Sequence, residues 1–177
     1  HHPNNNNQNS DDDVIIADAS NGSNVVPIPV VYRTSKSRKR NNERLNLSNR
    51  NLKFMPIIEN EQKLRLLNLQ FNSISCITNL HTVPNLTYLD LANNQITTIS
   101  GVEVLRNLRV LMLGRNKIRK IENLDTLRRL DILDLQHNQI DKIQGLEGLQ
   151  SLRVLNLSGN RIKKLAGLEG LNSLAEL

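Results

Sequence analysis

The chain has 177 residues, 38% of them apolar and 23% charged, with two Phe, two Tyr, no Trp and a single cysteine, Cys76. No apolar run approaches the ~18 residues of a membrane-spanning helix, and one cysteine excludes a disulfide-stapled scaffold. The formal charge of +6 is uneven: residues 1–32 hold Asp11, Asp12, Asp13 and Asp18 but no Lys or Arg, so all 23 bases lie in the remainder, which suits an acidic partner.

Residues 1–24 are rich in Asn and Asp and too polar to offset the entropy of ordering, so a disordered tail is expected there. Val25 to Tyr32 is apolar but interrupted by Pro27 and Pro29, which fits either an extended arm along the following structure or a linker. Lys36, Arg38, Lys39, Arg40 and Arg44 follow as a basic cluster. It can serve as a nuclear-import signal or an acidic-surface anchor; a solvated linker is the plainer reading. Residues 25–43 are therefore read as an arm and a basic linker.

From Leu64 onward the sequence repeats. Asn72, Asn94, Asn116, Asn138 and Asn160 recur every 22 residues, each two residues ahead of an isoleucine. Copies beginning at Leu64, Leu86, Leu108, Leu130 and Leu152 all follow LxxLxLxxNxI, with an apolar residue three further on. This period and pattern resemble leucine-rich repeats, which implies an α/β solenoid: a horseshoe with a concave parallel β-sheet and short helical or 3₁₀ turns on its convex side. The domain is expected over 44–177, with an atypical first coil over 44–63, five full coils over 64–173 and the start of a sixth over 174–177. In the atypical coil Arg50 stands where the asparagine belongs. The sixth coil stops inside its strand without a polar cap, and the chain begins at His1, so a fragment of a longer protein is expected.

Positions within a coil are numbered here from its first leucine. Leucines at positions 4 and 6 alternate as a short strand requires and should face the core. The position-9 asparagine can both donate and accept, and so can satisfy backbone groups between coils. Position 16 is only ever Gly or Asn (Asn79, Gly101, Asn123, Gly145, Gly167), which predicts a left-handed residue there. Apolar residues at 17 and 20 then share the inner side of one helical turn. N-x-S/T triplets at Asn46, Asn85 and Asn156 fall at the strands, where a glycan would obstruct the sheet, and are read as chance matches.

The sequence carries no catalytic constellation. His81 and His137 fall in different coils and on opposite sides, and Cys76 has no histidine at an equivalent position. Phosphate-loop, CxxC and HxxxH motifs are absent, so neither a metal nor a cofactor is expected. Asp90 and Asp134 share position 5 two coils apart, about 10 Å at sheet spacing, but Met112 lies between them on an open face. A non-enzymatic binding module is the expectation.

Binding should use the concave face. Position 3 reads Leu66, Tyr88, Val110, Ile132 and Val154; position 5 reads Asn68, Asp90, Met112, Asp134 and Asn156; position 8 includes Phe71, Arg115 and His137. The apolar column is either a partner surface or a ladder packed on itself. Aromatic, Met and Arg residues favour a partner surface. A second candidate is a basic edge of Lys117, Arg119, Lys120, Lys142, Arg161, Lys163 and Lys164, suited to an acidic tail or merely solubilising. No aromatics interleave with it, which makes nucleic acid the weaker partner.

The 22-residue form resembles the intracellular class of phosphatase-regulatory and ciliary leucine-rich-repeat proteins. The segments Pro29-Val-Val-Tyr-Arg33, Leu45-Asn-Leu47, Met55-Pro-Ile-Ile58 and Leu64-Arg-Leu-Leu-Asn68 are similar to the family of leucine-rich-repeat subunits associated with the tubulin polyglutamylase complex. That resemblance implies a non-catalytic scaffold or targeting subunit, with tubulin and a glutamate-ligase complex as partners, in the cytoplasm at the cytoskeleton or cilium. The phosphatase-regulatory class implies instead a catalytic subunit bound on the concave face.

Overall fold

The computed structural model describes residues 14–19 and 27–177. Strand β1 (Val14–Ala19) pairs antiparallel with β2 (Ile28–Arg33). A six-residue helix, α1 (Ser35–Arg40), follows, N-capped by Thr34, whose Oγ1 accepts from the Ser37 amide at 3.2 Å. Its last turn carries Arg38, Lys39 and Arg40, where the helix dipole favours cations. Strand β3 (Arg44–Asn46) opens the first coil, and β4 (Ile57–Ile58) closes it by pairing parallel with β2.

The five repeats supply one strand each: β5 (Leu66–Asn68), β6 (Tyr88–Asp90), β7 (Val110–Met112), β8 (Ile132–Asp134) and β9 (Val154–Asn156). With β3 they form a six-stranded parallel sheet in chain order. Leu45, Leu67, Leu89, Leu111, Leu133 and Leu155 stand opposite one another in unbroken register, so columns of sequence are columns of the sheet. Glu176 bridges Val154 in parallel fashion, continuing the pattern. The architecture is a leucine-rich parallel-sheet solenoid.

Its core is the set of repeat leucines and isoleucines. Leu64, Leu67, Leu69 and Ile74 and their equivalents through the fourth coil are buried, as are the paired turn residues Val102 and Leu105, Leu124 and Leu127, and Leu146 and Leu149. The turn facing away from the sheet is of the 3₁₀ type: the amide of Leu105 donates to Val102, that of Leu127 to Leu124 and that of Leu149 to Leu146. Position 16 takes the left-handed conformation in all five coils, with φ from 61° at Asn123 to 87° at Gly167. Where it is Asn, the side chain bonds the preceding coil, as in Asn123 Nδ2 to the Ile99 carbonyl at 2.7 Å. Where it is Gly the coils approach closer, and a Cβ on Gly101 would collide with the Ile77 carbonyl oxygen.

Two expectations for the N-terminus are corrected. The tail of residues 1–24 contains a strand, Val14–Ala19, held by pairing with β2; the other residues of that stretch lie outside those described. Of the arm and basic linker expected over 25–43, the described part, from Pro27 onward, lies along the first coil as the arm alternative has it. Strand β2 and helix α1 cap that coil rather than link to it. Arg33 is buried and forms a two-pronged pair with Glu61, Nε to Oε1 at 2.7 Å and Nη2 to Oε2 at 2.8 Å. Its third nitrogen donates to the carbonyls of Asn41 and Arg44. In the basic cluster itself Lys36, Lys39, Arg40 and Arg44 stay exposed and Arg38 is half-buried, 3.9 Å from Glu61. The buried charge is Arg33, whose partner carboxylate 28 residues away is invisible to composition.

Candidate functional site

Two polar ladders set which surface residues are free for other tasks. In the first, Asn116 donates through Nδ2 to the carbonyls of Leu91, Leu113 and Gly114 and accepts the Ile96 amide at 3.0 Å. Asn72, Asn94, Asn138 and Asn160 repeat this arrangement, each tying its coil to the preceding one. The atypical coil has no such asparagine, yet the amides of Arg50 and Leu52 both donate to Asn72 Oδ1, so the ladder closes from one side.

The second ladder is one that sequence reasoning missed. At position 5, Asn46, Asn68, Asp90, Asp134 and Asn156 each accept the amide two residues on, at 2.9–3.1 Å. These are Asx turns, which end the strand. Much of the polar character of this column is therefore structural. The signal was present, since Asn and Asp are the side chains suited to such a turn. Met112 alone breaks the series.

Position 8 hides a second constraint. Phe71, Asn93, Arg115 and His137 have φ between 51° and 55°, and Gly159 has 70°. Asn and Gly tolerate this region; Phe, Arg and His are held there at a cost of about 1–3 kcal/mol each. Phe71 is 51% exposed, and Arg115 and His137 also face solvent. The His137 ring lies over Gly159, where a Cβ would collide with it. Beside these columns the position-3 residues Leu66, Tyr88, Val110, Ile132 and Val154 stand in register, half-buried by one another.

Electrostatics differ across the sheet. Burial, and secondarily the charge of Asp134, hold the Asp90 carboxyl above its ordinary range, against the opposing Ala92 amide bond. Burial also raises the Tyr88 phenol, with Asp90 adding to the effect. On the side following the strands, Lys117, Lys142, Arg161, Lys163 and Lys164 are exposed, Lys120 lies 3.6 Å from Glu122 and Arg119 reaches Gln139 at 3.3 Å. On the side preceding the strands, Arg106, Arg128 and Arg129 border a shallow cavity of about 390 Å³, with Arg129 bonded to Asn107. This arginine border falls outside the repeat consensus and shows only once the turns are in phase. Among the described residues no group of His, Cys, Asp or Glu is arranged to hold a metal ion. His81 sits in a 3₁₀ turn facing away from the sheet, so it and His137 do not meet.

Residues 84–140 match a family model described as leucine rich repeat, residues 62–105 one described as leucine rich repeats (2 copies), and residues 148–166 another leucine rich repeat model. No curated protein matches the chain. Among solved structures, an internalin (inlF) from Listeria monocytogenes is similar, with a TM-score of 0.62 and 25% identity over 76% of this chain and 46% of that one. The functional domain of InlJ from the same organism, which includes a cysteine ladder, has a TM-score of 0.59 and 23% identity, over 76% of this chain and 30% of its own. The chain thus spans less than half the length of either.

Proposed function

Because the chain belongs to the leucine-rich repeat family, we propose that it is a non-catalytic scaffold that binds other proteins through its open sheet face and basic edge. The observation that carries this reading is the left-handed column. Phe71, Arg115 and His137 occupy a backbone conformation that Asn93 and Gly159 adopt at less cost, and all three point to solvent. The turn of each coil imposes the conformation, so a large exposed side chain there, where Asn or Gly would fit the backbone better, supports a role in contacting a partner.

The finer reading is a scaffold or targeting subunit that captures acidic, tubulin-like tails for a glutamate ligase at the cytoskeleton or cilium. The exposed lysine edge of Lys120, Lys142 and Lys164 supports it, together with the resemblance of roughly residues 29–177 to the polyglutamylase-associated subunits. A second reading, a phosphatase-regulatory module, draws on the strained sheet-face residues, which fit a folded partner better than a flexible tail. The two differ in salt response, since capture of a tail by exposed charges is screened and apolar docking is not. Binding of a polyglutamate peptide and of tubulin should weaken steeply between low and physiological salt and be lost in the triple charge reversal K120E/K142E/K164E. Unchanged tubulin binding by that variant would refute tail capture. Salt-insensitive binding of a phosphatase catalytic subunit, lost on Tyr88→Ala, would favour the second reading.

A further inference from the structure

Five of the six coils spend their position-5 side chain on the Asx turn; the exception sits near the middle of the sheet. Met112 offers no oxygen to the Gly114 amide, although the coils on both sides show that Asp serves there. Folding alone would favour Asn or Asp at this point. An unbranched thioether suits instead a surface that another chain covers and repacks against.

Its surroundings define the partner. Met112 lies in register between Asp90 and Asp134, beside the apolar column of Tyr88, Val110 and Ile132. Asp134 uses both oxygens, on the backbone and side-chain amides of Gln136. Asp90 bonds only the Ala92 amide, through Oδ1; its Oδ2 accepts from no protein group among the described residues. The result is an apolar floor with one half-buried carboxylate whose Oδ2 is open to solvent and to an incoming donor, and a second carboxylate two strands away.

We propose that the sheet face centred on Met112 docks a partner-protein segment presenting one Lys or Arg beside an apolar side chain. The aliphatic stem lies over Met112 and Val110, and the cationic head donates to Asp90 Oδ2, with Asp134 adding its field. Charge complementarity selects this occupant. An acidic segment would face two carboxylates, and a wholly apolar one would cover Asp90 without pairing it, leaving a desolvated charge. The basic borders on both sides, Arg106 and Arg128 on one and Lys117 and Lys142 on the other, disfavour a long basic run and select a single cation in an apolar setting. This inference rests on the scaffold reading and adds the chemistry of the partner and the point of contact.

The test is a selection of displayed random dodecapeptides on the 177-residue chain, followed by affinity measurement with synthetic copies. Asp90→Asn and Met112→Asn are the informative variants, because Asn forms the same turn at 46, 68 and 156. Selected peptides should carry Lys or Arg next to an apolar residue. Their affinity should fall about tenfold or more in D90N and in M112N, while both variants melt no lower than wild type. Peptides without a basic residue, or indifferent to D90N and M112N, would overturn the proposal. If those peptides are nonetheless lost on Tyr88→Ala, the scaffold reading stands and only the cationic specificity fails. A selection that retains nothing on the sheet face overturns both.

Discussion

Single residues in this solenoid divide by whether their polar atoms are committed to the backbone. Asn116 is buried and makes four hydrogen bonds, so Asn116→Ala leaves several buried groups unpaired. A loss of about 2–3 kcal/mol is expected, measurable by chemical denaturation and matched by Asn94→Ala, which removes the equivalent set. Met112→Asn should act in the opposite sense, completing the Asx series and raising stability by about 0.5–1.5 kcal/mol. Asp90 also opposes folding at neutral pH. Its carboxyl is raised in the folded state, which therefore takes up the proton more readily than the unfolded chain. Stability should rise as pH falls through the raised folded value towards the unfolded one. D90N should consequently be more stable than wild type at pH 7, and the difference should shrink on acidification. A difference that grew on acidification would contradict the assigned direction.

At the scale of elements, the N-terminal cap shows how a polar contact can tie distant segments together. The Arg33–Glu61 pair joins β2 to the turn preceding Leu64, while β4 completes the same attachment through its backbone. Removing one partner of a buried pair leaves the other charge stranded, so Glu61→Ala should cost about 3–5 kcal/mol. Replacing both partners with apolar residues of similar volume, as in Arg33→Met with Glu61→Leu, should cost much less. Equal losses in the two variants would show that the pair matters only through packing. The repeats themselves were legible: leucine spacing gave the strands, and the Gly/Asn alternation gave the left-handed turn. The cap was not legible, because its strand, its helix and its buried carboxylate have no repeat to average over.

For the molecule as a whole, each coil contacts its neighbours and little else, so stability is distributed along the stack. Burial is complete through the middle coils and declines in the fifth, where Leu165 is 74% exposed although Ile77, Ile99, Ile121 and Ile143 at the same position are buried. Hydrogen exchange should therefore protect the amides of the middle coils, such as Leu91 and Leu113, longest. Uniform protection would indicate a single cooperative unit instead. The same linear arrangement gives the surface its functional layout: a partly apolar sheet face, an arginine border before the strands and a lysine border after them.

The sequence alone determined the solenoid, its period, its core and the left-handed turn, because a fixed repeat converts spacing into position and each structural role recurs often enough to be recognised. Tertiary structure decided which polar residues beyond the position-9 asparagines were spent on the fold. The Asx ladder, the left-handed column at position 8 and the Arg33–Glu61 pair all depend on a backbone amide, a φ angle or a distant carboxylate. Only after those commitments are subtracted do Met112 and the second oxygen of Asp90 stand out, since an unfilled hydrogen-bonding role exists only relative to neighbours that fill theirs.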